Sequence, residues 1–201
     1  MAVSKVDREL FVFRHGQTDW NLQGRLQGHT DVPLNEIGMQ QAQQLSTQLT
    51  DLCLEVVLSS DLERAHVTAQ IATLSRIPIL TTKNLREARL GIAEGKSKND
   101  PLIIDGYRRW LDPEDDEFFF AGGESPSEHK GRIIKYLDSV FAEEAWRRIG
   151  ISTHGGTMVR FVEICKNRPK EKLFFDNGAI IKISVTDSGW IYEGLVKSDR
   201  R

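Results

Sequence analysis

Three apolar runs of this chain end abruptly on groups able to bind and move charge. Leu10-Phe11-Val12-Phe13 stops at Arg14-His15-Gly16. Val56-Val57-Leu58 stops at Ser59-Ser60, with Arg64 close behind, and the run from Ile149 leads into His154-Gly155-Gly156. Two arginines, two imidazoles and a glycine-opened segment suit a dianion. A planar guanidinium grips phosphate oxygens in pairs, and such charge-assisted bonds are about twice as strong as neutral ones. Glycines at the start of a helix let backbone N–H groups and the positive end of the helix dipole approach an anion. Neither G-x-x-x-x-G-K-[ST] nor G-x-G-x-x-G occurs, which argues against a nucleotide P-loop or a dinucleotide fold. The histidines at 15, 29, 66, 129 and 154 show no helical ligand spacing. The pattern reads as a phosphate pocket without a metal.

Elements able to position these groups alternate along the chain. Residues 9–14 read as a buried strand. Asn35 reads as the N-cap of a helix with Gly38, Ala42, Leu45, Leu49 and Leu52 on one face. Strands follow at 55–59 and, at an edge because of Pro78, at 77–81. Between them, Asp61 is expected to cap a helix packed through Leu62, Ala65, Ala69 and Ala72. Helices are expected at 102–111 and at 126–141, the second opened by Ser125-Pro126. A strand at 149–153 precedes a helix burying Met158, Phe161, Val162 and Cys165. Two late strands near 179–185 and 190–195 are joined by Asp187-Ser188-Gly189. This order predicts an α/β protein of three layers, α/β/α, with a mostly parallel sheet and antiparallel pairing near the C-terminus. In open sheets of this kind ligands gather at the carboxyl ends of the strands, where the charged groups fall.

Composition narrows the class. The chain has 201 residues and is 39% hydrophobic, enough for one sizeable domain over 1–201. Basic and acidic residues nearly balance, at 27 against 29, so no general surface for nucleic acid or anionic membrane is expected. No apolar stretch is long enough to span a bilayer, and residues 1–10 lack the apolar core of a secretory signal, which makes the cytoplasm the expected location. Cys53 and Cys165 are expected as two buried free thiols. Residues 94–100 and 112–124 break the regularity and suggest a flap or cap at about 95–125. The acidic, Phe-rich 112–124 stretch reads either as a mobile flap or as a solvated loop with its aromatics on the core.

Four motifs then carry a resemblance. R-H-G-Q-T-x-W-N at 14–21, S-S-D-L-x-R-A-x-x-T-A at 59–69, L-R-E at 85–87 and T-H-G-G at 153–156 resemble the histidine phosphatase superfamily. This is the family of cofactor-dependent phosphoglycerate mutases and related phosphatases. The resemblance implies that His15 is the nucleophile, forming a phosphohistidine that water hydrolyses. Arg14, Arg64 and His154 would keep it unprotonated and stabilise the transferring phosphoryl group, with His154 donating to a phosphate oxygen. Glu87, which taken alone between Arg86 and Arg89 reads as a surface ion pair, would be the general acid and later the base. Asn21 and Thr18 match phosphate-side contacts, Gln27 and Gly28 a loop whose backbone reaches substrate, and Gly155 an N–H donor to phosphate. Two departures stand out: Gln17 where the family often has Glu, and Ala93 where it has Trp.

The implied activity is that of a phosphomonoesterase acting on a small phosphorylated metabolite, with no cofactor or metal. The alternative is mutase-type phosphoryl transfer. A mutase is expected to clamp a substrate carboxylate with further cations, and here Lys96, Lys98, Arg108 and Arg109 are followed by the acidic run Glu114 to Glu117, which would repel a sugar acid. A non-catalytic phosphoester-binding module is the reading from another class. His66 reads as a packing or surface residue, His29 and His129 fall in loop-like or helix-exposed sequence, and Trp20, Trp110, Trp146 and Trp190 read as core or interface aromatics. Substrate identity and oligomeric state are left open.

Overall fold

Strand β1 (Arg8–Arg14) is buried on both faces, and its alternate side chains enter two different cores. A computed structural model describes residues 7–196, which leaves residues 1–6 and 197–201 outside the description. Leu10 and Val12 join one apolar cluster with Ile133 and Leu137 of α5 (Pro126–Glu143) and Met158 and Phe161 of α6 (Gly155–Ile164). Phe11 and Phe13 join the opposite one with Leu45 and Leu49 of α2 (Glu36–Thr50) and Ala69 and Ala72 of α3 (Glu63–Ala72). A strand covered on both sides has no reason to alternate with polar residues, hence the unbroken apolar run. Helices therefore lie on both faces of the sheet, the three-layer arrangement expected.

Among the described residues the sheet has six strands, in the order β3-β2-β4-β1-β5-β6. Strand β2 (Val56–Ser60) pairs in parallel with β3 (Ile79–Thr82) and with β4 (Arg148–Thr153), and β4 pairs in parallel with β1. Strand β5 (Ile180–Thr186) runs antiparallel to β1, and β6 (Gly189–Leu195) antiparallel to β5. Pro78 falls just outside the edge strand β3, where its missing N–H costs nothing. No helix of the described residues is long and apolar enough to cross a membrane.

Helix starts follow the expected caps with one exception. Asn35 accepts the N–H of Gly38 at 2.9 Å, and Ser125 and Glu128 form a capping box under Pro126. Asp61 does not cap α3. Its carboxylate takes both prongs of Arg86, at 2.6 and 2.7 Å, and the N–H of Glu63 is met instead by Asp31 from a distant loop. A bidentate guanidinium is the stronger partner. Of the two free cysteines only Cys165 is buried; Cys53 is exposed, at a turn with φ of 48°.

Between β3 and α5 the chain contributes Ala88, Leu90, Ala93, Ile103, Trp110 and Phe120 to a third apolar cluster, which Leu26 joins from the loop before α2, with the short helix α4 (Ile104–Trp110) at its side. In the acidic stretch that follows, Phe120 is buried and Phe118 packs edge-on to it, while Phe119 is 58% exposed. Two of the three aromatics thus sit on the core. Two of the acidic groups are paired, Asp115 with Arg109 and Asp116 with Lys130.

Candidate active site

Sheet register brings the polar strand ends together. Arg14 is level with Thr153 across the β1–β4 pair, and Ser59 with Ser152 across β2–β4. The N–H of His15 donates to Thr153 O at 2.9 Å, so the chain stays in register one residue beyond the strand. The rings of His15 and His154 end with centroids 5.1 Å apart, and both are almost fully buried, as is Arg64 on the first turn of α3. Together with Arg14, Glu87, Gly155 and Gly156 they line a cavity of about 150 Å³.

His15 has a fixed tautomer. Its Nδ1 lies 2.6 Å from the carbonyl oxygen of Gly16, which can only accept, so the proton sits on Nδ1 and Nε2 carries the lone pair. Burial holds the imidazole pKa well below 6.5, and Arg64 and Arg14 press it further down. A neutral, oriented imidazole among cations is a nucleophile ready for use.

Arg64 is clamped by three contacts. Its Nη1 and Nη2 donate to the carbonyls of Thr30 and Gly28, both at 2.9 Å, and its Nε to His154 Nδ1 at 3.3 Å. Burial lowers its pKa to about 10, which leaves it cationic at neutral pH. The loop carrying those carbonyls is tied by Glu94, which accepts the N–H groups of His29 and Thr30. Since His154 Nδ1 accepts from Arg64, its Nε2 carries a proton, and that proton is directed to Ser60 Oγ at 2.9 Å. The sequence reading aimed the same proton at a phosphate oxygen; here a neighbouring hydroxyl takes it.

Arg14 donates from Nη1 to Phe175 O at 2.7 Å, whereas its buried Nε has no hydrogen-bond partner among the described residues. A buried guanidinium N–H without an acceptor favours an anion. Glu87 sits across the cavity. Gly156 N–H donates to its Oε2 at 2.9 Å and Ala88 N–H to its Oε1 at 3.0 Å. Arg132, itself paired with Glu124, holds the carbonyls of Arg86 and Glu87 at 2.8 and 2.7 Å. The carboxylate is thus fixed both at its tip and at its backbone.

Of the other residues named from sequence, Asn21, Gln27, Gly28 and Gly155 line the cavity. Thr18 does not reach it: the hydroxyl is fully buried, caps the short helix α1 (Asp19–Leu22), and donates to Asn21 Oδ1 or Gln27 Oε1 at 3.2 and 3.1 Å. It positions two lining residues instead of touching a ligand. His129 is wholly buried, not helix-exposed, and Trp110 both joins the third cluster and lines the cavity. Sequence reasoning missed Tyr107, Phe175 and Asn177. Tyr107 lines the cavity with a phenol pushed up to about 12 by burial and by Glu87. Asn177 donates to His15 O at 2.9 Å and to Asn21 Oδ1 at 3.2 Å. Phe175 and Asn177 lie in a loop with no periodicity, so no signal marked them; Tyr107 stood on an expected helix whose facing was not assigned.

This geometry has counterparts among known proteins. Residues 10–197 match the model of the histidine phosphatase superfamily, branch 1. Phosphoglycerate mutase-like protein 4 of Arabidopsis thaliana is 36% identical over 155 residues, 75% of this chain and 67% of its own length. Probable phosphoglycerate mutase GpmB of Salmonella choleraesuis is 31% identical over 194 residues, covering 94% of this chain and 90% of its own. Among solved structures, mycobacterial glucosyl-3-phosphoglycerate phosphatase superposes with a TM-score of 0.82 at 28% identity, over 95% of this chain and 100% of that one. Motifs, sheet order and a match spanning nearly the whole chain agree: the chain belongs to the histidine phosphatase superfamily, branch 1.

Proposed function

We propose that this protein is a metal-independent phosphomonoesterase working through a phosphohistidine on His15. The observation that carries this reading is the 2.6 Å bond from His15 Nδ1 to Gly16 O, which leaves Nε2 as a lone pair between two arginines. In the first half-reaction Nε2 attacks phosphorus, the ester P–O bond breaks, and Glu87 gives its proton to the departing oxygen. In the second, water attacks phosphorus, Glu87 takes the water's proton, the P–N bond breaks, and Nε2 regains its lone pair. Arg14, Arg64 and the Gly155 N–H hold the phosphoryl oxygens throughout, with Asn21 alongside.

Hydrolysis is preferred to mutase-type transfer on the position of the cations. Arg108 and Arg109 pair with Asp105 and Asp115 and do not line the cavity, so no arginine pair is turned inward to clamp a substrate carboxylate. The acidic run does not line the cavity either, so repulsion by it carries no weight here. Leu26, Leu90, Trp110, Val159 and Phe174 give the cavity an apolar wall, which supports an alcohol portion with apolar surface, roofed by a cap at about 95–125. The neighbouring cleft of about 730 Å³ shares Trp110, Val159 and Phe174 with it but is otherwise mostly charged, with Arg108, Glu114, Arg168 and Lys172 in its lining. One observation favours the mutase: Lys98 and Arg25 do line the cavity.

The test is turnover of p-nitrophenyl phosphate with excess EDTA, in wild type and His15→Ala, with an acid-labile, alkali-stable phosphoryl adduct sought on His15. Activity lost on chelation, or retained in His15→Ala, refutes the mechanism. No turnover of any phosphomonoester would favour a binding module, and efficient isomerisation of 3-phosphoglycerate primed with 2,3-bisphosphoglycerate would favour the mutase.

A further inference from the structure

Beyond the Thr157 hydroxyl that reaches Glu87 lies an imidazole that the phosphoryl transfer does not use. His129 of α5 is wholly buried, and its Nε2 lies 3.2 Å from Thr157 Oγ1. That oxygen in turn lies 3.3 Å from Glu87 Oε1 and 3.1 Å from Arg86 O. We infer that His129 is a positioning residue for proton transfer: acting through the Thr157 hydroxyl, it fixes the carboxyl of Glu87 in place. The inference rests on the proposed role of Glu87 as acid and base.

The hydrogen-bond inventory supplies the argument. Thr157 has one hydroxyl proton and faces two acceptors, the carbonyl of Arg86 and the ionised Glu87. Its proton goes to one of them, so the bond it receives must come from His129, which places the imidazole proton on Nε2. The other tautomer would leave a buried N–H at Nδ1, an atom with no hydrogen-bond partner among the described residues. Orphaned buried N–H groups are the rarer and costlier case. Burial, with Arg132 and Arg160 nearby and His29 beyond them, holds its pKa well below 6.5 and keeps His129 neutral, against the opposing pull of the Arg86 carbonyl, which can only accept a proton from the ring.

Glu87 is faced from other elements by Arg14, Arg64, Lys98 and Tyr107. Its backbone donors, Gly156 and Ala88, cannot change direction. The Thr157 hydroxyl can. It donates to Glu87 Oε1 while the carboxylate is charged and turns to Arg86 O once Glu87 takes up a proton, the His129 N–H anchoring its oxygen in both states. A phenylalanine would fill the same volume without any of this, so packing alone does not ask for an imidazole.

The experiment compares n-butyl phosphate, whose alkoxide needs a proton, with p-nitrophenyl phosphate, whose phenolate does not. His129→Phe should lower kcat/KM on butyl phosphate about tenfold, the equivalent of one lost hydrogen bond, with kcat/KM on the aryl ester, which reports only the first half-reaction, within about twofold. His129→Gln, which keeps an N–H at the Nε2 position, should restore most of the loss. His129→Phe combined with Thr157→Val should be no worse than Thr157→Val alone. Equal losses on both esters, no loss on butyl phosphate, or no rescue by Gln overturns the inference; should His129→Phe fail to fold, Thr157→Val gives the same comparison. ¹⁵N NMR of the wild-type histidines reads the bond without turnover. A neutral Nε2–H tautomer that shifts in Thr157→Val is expected, and an Nδ1–H tautomer overturns the positioning role by itself. Wild type inactive on every phosphomonoester would refute the phosphatase reading instead.

Discussion

His15 Nδ1 donates to the carbonyl oxygen of Gly16, its own neighbour in sequence, at 2.6 Å. The bond is local, so the tautomer that exposes the Nε2 lone pair depends on no distant element; the low proton affinity of the ring does. Burial comes first, then Arg64 and Arg14. His154 and His129 are buried with their pKa values likewise well below 6.5, each for burial first and cationic neighbours second.

Three histidines held well below 6.5, with His29 lowered less strongly by its partial burial, make stability depend on pH. In the unfolded chain each imidazole binds a proton as pH falls past about 6.5, while in the folded protein each stays neutral. The unfolded state then holds more protons, so stability is intact above about pH 7 and is lost as pH falls from 6.5 toward the depressed folded values. The slope from these groups reaches about 4 kcal/mol per pH unit at most. Urea unfolding between pH 5 and 8 measures it, and His129→Gln should remove about a third of the slope. A flat profile across that range would contradict the buried, neutral state of these rings.

Gly16 is required by a neighbour more than by an anion. A Cβ there would lie 2.2 Å from Gly38 O in the first turn of α2, and one at Gly38 would lie 2.1 Å from Gln17 O, both of them backbone atoms. Backbone cannot yield as a side-chain tip can, so Gly16→Ala should cost about 3 kcal/mol or more and displace His15. Gly131→Ala, in open space on α5, should instead stabilise by roughly 0.5–1 kcal/mol. Denaturation midpoints of the two variants decide the matter, and similar losses would be the wrong result.

The pattern of strengths and failures in the sequence follows from what is local. The floor of the site was legible because β1, β2 and β4 are apolar runs that stop, and a parallel sheet brings such stops to one edge. Asn35 and Ser125 were legible because a cap is read within four residues. Asp61 was misassigned because its partner, Arg86, is 25 residues away and outcompetes the local N–H groups. Phe175 and Asn177 were invisible because irregular backbone has no period, yet they hold Arg14 and His15. His129 was placed on an exposed face because Thr157 and Arg86, which surround it, come from other elements.

Gly156→Ala probes the seat of Glu87. The added Cβ would lie 2.5 Å from Glu87 Oε1 and 3.1 Å from its carboxyl carbon. The carboxylate can swing away, so the fold should survive, and alanine in the first turn of α6 adds helix propensity worth up to about 1 kcal/mol. We expect an unchanged or raised Tm with kcat on alkyl phosphates reduced about 30-fold or more, since a misplacement of an ångström is enough for such losses. A fall in Tm without loss of rate would show that Gly156 serves packing alone.

Arg64→Lys separates charge from geometry. Lysine keeps the charge but cannot reach Gly28 O, Thr30 O and His154 Nδ1 with one fork. Two buried carbonyls lose their donors, at about 1–3 kcal/mol each before relaxation. Stability should fall by about 2 kcal/mol, and kcat/KM on p-nitrophenyl phosphate by about a hundredfold. Activity near wild type would mean that positive charge suffices and the clamp is incidental.

Glu87→Gln should split the two half-reactions. An amide has one acceptor oxygen where the carboxylate offers two, and Gly156 and Ala88 both donate here, so one N–H loses its partner and about 1 kcal/mol of stability goes with it. On alkyl phosphates the missing proton donor should cost about 10²–10⁴-fold in kcat. On p-nitrophenyl phosphate the first step needs little help from an acid, but the attacking water has lost its base. Phosphohistidine should then accumulate, visible in stopped flow as a burst of nitrophenolate approaching one equivalent of enzyme, followed by slow release of phosphate. A steady rate with no burst, together with equal losses on both esters, would remove Glu87 from both proton transfers.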